Sequence, residues 1–155
     1  MFRSFLVLAA ASLVSSAAFA QVTVGDPWIR ATVPAQKSSG AFMQLRSPKA
    51  TRLVEVQTPV AGRAEIHSMA MEGQTMRMQK IDGLDVPAGQ PVNLASGGYH
   101  VMLFDLKQQL KDGEQVPLTL TFVGPDKKRE NVTVQVPVKP LTYTAPGAAA
   151  PSAAH

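Results

Sequence analysis

Side chains that could bind a soft metal ion are concentrated in two short segments of the chain. One segment holds His67 and four methionines, and the other is His100-Val101-Met102. The four methionines are Met69, Met71, Met76 and Met78. Thioethers are soft, uncharged donors that Cu(I) accepts, whereas zinc, calcium and magnesium prefer imidazole or oxygen. Imidazole strengthens such a site and makes its affinity depend on pH. The two segments therefore predict a site for Cu(I).

Cysteine is absent from the chain, which limits the metal chemistry available to it. Blue copper centres, iron–sulfur clusters and Cys-ligated zinc sites all need a thiolate. A site of methionine and histidine would hold Cu(I) in an oxidising compartment without a thiol that copper could oxidise. Binding of this kind is tight but exchangeable, which suits a metal carrier.

The first segment has the pattern of a β-hairpin. If Gly73-Gln74 forms a two-residue turn, glycine at the first central position suits type II′. His67 lies on the same face as Met69, because side chains at i and i+2 share one side of a strand. The expected cross-strand pairs are Met71 with Met76 and Met69 with Met78. One face of the hairpin thus gathers the histidine and all four methionines.

Core packing is the alternative interpretation of these methionines. Met76 and Met78 occupy the more apolar side of their strand, so a hydrophobic core could use them. On the preceding strand the methionines share their side with Arg63 and Glu65 instead. Methionines on a polar face indicate a binding surface, so both interpretations stay open at this point.

The second segment is ambiguous in the same way. A lone His100 is more often a structural histidine than a ligand, and Met102 taken alone is undecided. Met43 alternates with Ala41 and Leu45, which predicts a place in the core.

Short alternating runs bounded by glycine and proline indicate an all-β domain. Leu118, Leu120 and Phe122 alternate with polar residues, a period of two that marks strands with one buried face. Regular strand spacing with many turn residues favours a β-sandwich or barrel without helices beyond short turns. The predicted strands are Val22–Ile29, Gly40–Leu45, Arg52–Thr58, Arg63–Met71, Thr75–Ile81, Tyr99–Leu106, Val116–Val123 and Glu130–Val138.

The two ends of the chain differ from its middle. Residues 1–20 carry one charge, Arg3, followed by an apolar run and Ala18-Phe19-Ala20, which predicts a cleavable secretory signal peptide. The run is shorter than the ~20 residues that span a bilayer, so no membrane span is expected after cleavage. Residues 141–155 are rich in alanine and proline and predict a disordered tail. The folded domain is expected at 21–140.

Charge and composition argue against two other classes of protein. The formal net charge is +4, but the basic residues are scattered apart from Lys127-Lys128-Arg129, so nucleic-acid binding has little support. Enzymatic activity is not expected either. No nucleophile–base–acid set stands out, and a site saturated with thioethers lacks the open position that metal catalysis uses.

The spacing of four residues resembles a known motif. Ten residues separate His67 from Met78, twenty-one separate Met78 from His100, and one separates His100 from Met102. This spacing is similar to the copper-ligand motif of the periplasmic copper chaperones called PCu(A)C. The resemblance extends over about residues 22–138. Other segments that carry it are Pro27–Ala31, Ala61–His67, Asp82–Leu84, Pro87–Gly89 and Gly97–Leu103.

The resemblance implies a cupredoxin-like β-sandwich of Greek-key type with an exposed Cu(I) site. The ligands it implies are His67, Met78, His100 and Met102. Met69 lies in the family's less constant methionine region and is expected as an auxiliary ligand only. The family is linked to supplying copper to cytochrome c oxidase alongside Sco-type thiol proteins, which implies a periplasmic copper chaperone with a recipient of this kind. Some relatives bind a second copper through a His/Met-rich tail, for which this chain offers only His155.

Two other functions compete with a copper carrier. A periplasmic sequestering or resistance protein would use the same ligands without passing the ion on. A structural β-sandwich, such as an adhesin or assembly module, would bind no metal and would bury its methionines. Copper titration separates the structural module from the other two, and transfer to a partner separates those.

Overall fold

The computed structural model describes residues 22–95 and 97–144, and this part of the chain folds into ten β-strands without a helix. The predicted all-β class is therefore confirmed. The strands are β1 (Thr23–Arg30), β2 (Ser38–Arg46), β3 (Thr51–Gln57), β4 (Ala61–Glu72), β5 (Thr75–Lys80), β6 (Leu84–Val86), β7 (Val92–Leu94), β8 (His100–Leu106), β9 (Gln115–Val123) and β10 (Arg129–Lys139).

The strands follow one another in a single hydrogen-bonded path, β5-β4-β8-β2-β1-β10-β9-β3-β6, with β7 beside β2. Strands distant in sequence pair with each other, as β4 does with β8 and β3 with β9, which is the kind of connection found in Greek-key proteins. A short parallel contact of β1 with β10 joins the two halves. Apolar residues from both halves form one core, so the halves face each other as the layers of a sandwich.

The core positions the outer face of β4 and β8. Ile66, Val101 and Leu103 are almost completely buried, and each stabilises the fold by about 1.5–3 kcal/mol. Because side chains alternate along a strand, His67 and Met102 must lie on the opposite, outer face. A slip of one residue would exchange the two sets, so the core fixes which side chains face outward.

Several strand boundaries differ from the predicted ones. The predicted Arg63–Met71 is part of β4, which extends to Ala61–Glu72. Strands β6 and β7 were not predicted, because three residues are too few to show a period of two.

The predicted signal peptide and most of the predicted tail lie outside the described residues. Of the tail, Leu141–Thr144 is described, and the Tyr143 ring packs edge-on against Trp28 with ring centroids 5.0 Å apart. In the described part of the chain, no helix has the length and apolar character to cross a membrane.

Candidate metal centre

The hairpin of β4 and β5 has the register that the sequence predicts. Met71 pairs with Met76 and Met69 pairs with Met78. Gly73 opens the turn with φ of +63° while Gln74 keeps a negative φ, as type II′ requires and as glycine adopts without strain. The turn thereby sets which methionines meet across the hairpin.

Strand β8 places the second histidine directly beside the first. His67 and His100 are cross-strand partners, and their ring centroids are 5.7 Å apart. Both are buried, with exposed fractions of 8% and 5%, although they lie on the outer face. The structure therefore brings the two predicted imidazole ligands together.

A row of aromatic rings covers the two imidazoles. The ring centroids of Phe104 and His67 are 5.8 Å apart, and those of Phe42 and His100 are 6.3 Å apart. Trp28 continues the row, 4.6 Å from Phe42. These rings pack beside the two histidines and exclude part of the surrounding water. The imidazoles are therefore held in place and partly desolvated.

Glu65 determines which nitrogen of His67 is available. The His67 Nε2 lies 2.8 Å from Glu65 Oε2, and an ionised carboxylate can only accept, so Nε2 carries the proton and donates it. The Nδ1 atom is buried without a hydrogen-bond partner among the described residues. In that tautomer Nδ1 keeps its lone pair, and a carboxylate behind a histidine is the usual support of a metal-binding imidazole.

His100 has the opposite tautomer. Its Nδ1 lies 3.0 Å from the carbonyl oxygen of Gly98, which can only accept, so Nδ1 carries the proton. The lone pair of His100 is then on Nε2. Each histidine is fixed by one hydrogen bond, and each offers one free nitrogen to a ligand.

The two methionines of the motif flank the histidine pair on the same face. Met102 lies on β8 opposite Glu65, two residues from His100 and half-buried. Met78 lies on the edge strand β5 opposite Met69, two residues from the partner of His67. All four predicted ligands, and the auxiliary Met69, therefore occupy the outer face of three adjacent strands.

Burial tests the core interpretation for two methionines. Met78 is 47% exposed and Met43 is 4% exposed. Met43 is thus a core residue, as its alternation predicts. Met78 lies outside the core, so core packing does not explain its presence on β5.

Two cations and the neutral His67 imidazole surround the Glu65 carboxylate, whose side chain is only 15% exposed. Its Oε1 forms ion pairs with Arg63 Nε at 3.2 Å and with Lys80 Nζ at 3.9 Å. The hydrogen bond from His67 and the charges of Arg63 and Lys80 hold the pKa of Glu65 below its ordinary value, against the opposing effect of burial. The carboxylate therefore stays ionised and able to accept from His67.

Sequence reasoning placed Glu65 on the face of His67 but gave it no role. The signal was available, since a carboxylate two residues from a histidine on one strand points the same way and can reach it. In the described part of the chain, no three His, Cys, Asp or Glu side chains are grouped as a metal site. With the Glu65 carboxylate engaged by His67, the remaining donors on this face are imidazole and thioether, a set that suits a soft ion.

Fold and site define a class: an all-β domain with paired imidazoles and thioethers on the outer face of one sheet. A family model described as "Putative lipoprotein LpqE-like" matches residues 22–138. The chain belongs to this family, of the PCu(A)C type, which confirms the resemblance inferred from the motif. Protein Lxx21020 of Leifsonia xyli subsp. xyli is 27% identical over 119 residues, 76% of this chain and 69% of the relative.

Solved structures with the same fold include proteins of this type. The solution structure of CuI-DR1885 from Deinococcus radiodurans is 32% identical, with a TM-score of 0.56, covering 80% of this chain and 83% of that one. The apo PCuAC domain from PmoF1 is 26% identical, with a TM-score of 0.62, covering 77% of this chain and 93% of that domain. The β-sandwich prediction agrees with these neighbours.

Proposed function

We propose that this chain is a copper chaperone that binds one Cu(I) and passes it to another protein. The proposed ligands are His67 Nδ1, His100 Nε2 and the thioether sulfurs of Met78 and Met102, with Met69 as an auxiliary donor. The observation that carries the proposal is the pair of histidines 5.7 Å apart, each with one nitrogen occupied and the other free. Thioethers on the same face make the set selective for a soft monovalent ion.

The relatives support copper as the ion. CuI-DR1885 is the Cu(I) form of a protein that is 32% identical to this chain over most of its length. A domain from PmoF2 with the same fold is described as copper-bound. The Cu(I) state in this chain is also favoured by its donors, because Cu(I) accepts two thioethers more readily than Cu(II) or zinc does.

The exposure of Met78 favours a carrier over a store. A partner that takes the ion must replace the ligands one at a time, and a ligand on an exposed edge strand can be replaced from solvent. The histidines behind it are buried and held by hydrogen bonds. The proposed site is thus rigid on one side and open on the other, which permits tight binding with exchange.

We place this function in the periplasm, since residues 1–20 have the pattern of a cleavable signal peptide. The proposed recipient is a Sco-type thiol protein or a cytochrome c oxidase subunit, as the family resemblance implies. We propose no enzymatic activity, because four donors around one ion leave no open position for a substrate.

The decisive experiment is a competition titration of the protein with Cu(I) and a Cu(I) chelator under anaerobic conditions. We expect one tightly bound Cu(I) per chain and much weaker binding of Zn(II). A stoichiometry of zero, or zinc affinity equal to that of copper, would contradict the proposal. Mixing the loaded protein with an apo oxidase copper domain then separates a chaperone, which transfers the ion, from a sequestering protein, which keeps it.

A further inference from the structure

The tip of the β4–β5 hairpin carries methionines that the four-ligand site does not use. Met71 and Met76 are direct cross-strand partners at the last position before the residues that flank the turn. They are 61% and 46% exposed, and the half-buried Met69 follows on the same face. The hydrophobic core therefore does not account for them.

The other face of the same hairpin is polar. Arg77 pairs with Ala70 across the strands, and its Nε forms an ion pair with Glu72 Oε2 at 3.1 Å. An edge strand exposed along its whole length would ordinarily carry polar or charged residues on both faces. Here the sulfur-bearing side chains are confined to one face, which also holds His67.

The register brings the tip sulfurs within reach of one ion. The two-residue turn makes Glu72 and Thr75 the hydrogen-bonded pair that closes the hairpin. Met71 and Met76 are then a pair without mutual hydrogen bonds, the kind in which Cα atoms approach to about 4.5 Å and side chains are closest. Methionine is unbranched with three rotatable bonds, so both sulfurs can turn toward a shared ligand.

We propose that Met69, Met71 and Met76 form a second site, made of thioethers alone, for a soft monovalent cation such as Cu(I) or Ag(I). Three neutral sulfurs select against zinc, calcium and magnesium. Without an imidazole, the site is weaker than the four-ligand site. It adds to the proposed function and does not rest on it, since its ligands Met71 and Met76 are not part of the motif.

The position of this second site suits the first contact with an incoming or departing ion. It occupies the end of a two-stranded projection, while the four-ligand site lies further along the same face toward β8. An ion at the tip has Met69 and Met78 as the next cross-strand pair in the direction of His67. The thioethers thus form a continuous path of donors between the tip and the buried histidines.

The test uses the full chain labelled with [methyl-¹³C]methionine and titrated with silver acetate in chloride-free buffer, because Ag(I) is a soft monovalent ion that stays in one oxidation state. We expect the first equivalent to shift the methyl signals of Met78 and Met102. The second equivalent should shift those of Met71 and Met76, while Met69, which is also the auxiliary donor of the four-ligand site, responds to either ion. Met43 is buried in the core and serves as the internal control whose signal stays in place.

Variants separate this site from the four-ligand site. The double variant Met71→Leu/Met76→Leu keeps the apolar surface and removes two sulfurs, and it should weaken binding of the second equivalent at least tenfold while sparing the first. Glu72→Gln/Arg77→Gln changes the polar face of the same hairpin and should leave both equivalents bound. His67→Ala/His100→Ala should lose the first and keep the tip site, so the two proposals fail independently.

Two results would overturn the proposal. One is the absence of any shift at Met71 and Met76 up to a large excess of Ag(I), which would leave the tip methionines as an apolar contact surface. The other is a second equivalent that binds equally well to the Met71→Leu/Met76→Leu variant, which would place that ion elsewhere.

Discussion

Two hairpins of this protein use the same alternating pattern for opposite purposes. In β9–β10, Leu118, Leu120 and Phe122 are fully buried, and the outward Thr119 and Thr133 hydroxyls lie 3.0 Å apart in a hydrogen bond. In β4–β5 the apolar residues of β5 are methionines on an exposed edge strand. In β9–β10 the alternating apolar side chains form part of the core, whereas in β4–β5 the alternating methionines place their sulfur atoms on the surface.

The difference shows that a period of two identifies a strand but not the use of its apolar face. Leucine and phenylalanine do not ligate metal ions, so their alternation in β9 indicates packing. Methionine packs as well as they do and also binds soft metals. Its alternation in β5 is therefore ambiguous until the position of the strand in the sheet is known.

The largest expected effect is the loss of stability when a core side chain of the β9–β10 hairpin is truncated. Leu120→Ala should lower the free energy of unfolding by ~2–5 kcal/mol, because it removes a fully buried side chain and leaves a cavity. Its Cu(I) affinity at temperatures where it stays folded should be unchanged. Urea unfolding of the apo protein and chelator competition measure the two quantities. A variant that lost copper affinity as well would show that the two hairpins are coupled.

Substitution of the exposed hairpin should have the reverse effect. Met78→Ala should weaken Cu(I) binding by at least ~10–100-fold, the loss typical when even a supporting group of a metal site is removed, and Met102→Ala likewise. The stability of apo Met78→Ala should stay within ~0.5 kcal/mol of the parent, as for other surface changes.

Met43 supplies the matched control for that experiment, since it is the same residue type buried in β2. Met43→Ala should cost ~2–5 kcal/mol of stability and leave copper affinity intact. If Met78→Ala destabilised the protein as much as Met43→Ala and bound copper normally, Met78 would be a packing residue.

Substitution of Glu65 tests whether the hydrogen bond that orients His67 contributes to Cu(I) affinity. Glu65→Ala should weaken Cu(I) binding about tenfold, at the lower end of the ~10–100-fold range for such support, because water can replace part of the lost hydrogen bond. Glu65→Gln should recover most of the affinity, since its amide oxygen still accepts from His67 Nε2. Equal affinity of all three proteins would mean that the tautomer of His67 is set by something else.

The smallest expected effect is on the stability of the apo protein at acidic pH. The pKa of Glu65 is lowered in the folded protein, so the unfolded chain binds its proton more readily. The stabilisation from this carboxylate is therefore complete above its ordinary pKa and disappears as pH falls through the lowered value. As pH falls from above the ordinary pKa of 4.5 through the lowered value, the apo parent should lose more stability than Glu65→Gln. Parallel pH dependence of the two proteins in urea unfolding would contradict this.

Much of the fold could be predicted from the sequence, and the reasons are specific. The alternation of Leu118 to Phe122 predicted β9, and glycine at 73 predicted both the turn and the register of β4–β5. The pairing of β4 with β8 could not be predicted from periodicity, because nothing local marks which distant strands become neighbours. That pairing places His67 opposite His100, so the residues suggest the ligands while the topology brings them together.

The residues that orient and surround the proposed ligands are harder to predict from the sequence than the ligands themselves. Glu65 was assigned to the correct face, but its contact with His67 Nε2 depends on rotamers that a pattern does not contain. The aromatic row was missed for another reason. Trp28 and Phe42 are cross-strand partners on the consecutive strands β1 and β2, but Phe104 comes from β8, far away in sequence, and only the assembled sheet adds it to the row.

That aromatic row gives the protein an intrinsic optical reporter. The chain contains a single tryptophan, and the phenyl ring of Phe42 packs against its indole and lies near the imidazole of His100. An ion bound by His100 alters the charge and mobility of that imidazole. This changes the electrostatic environment and packing of the Phe42 ring and, through it, of the indole. The fluorescence of Trp28 should therefore follow loading and release of the ion in real time, without a dye attached to the protein.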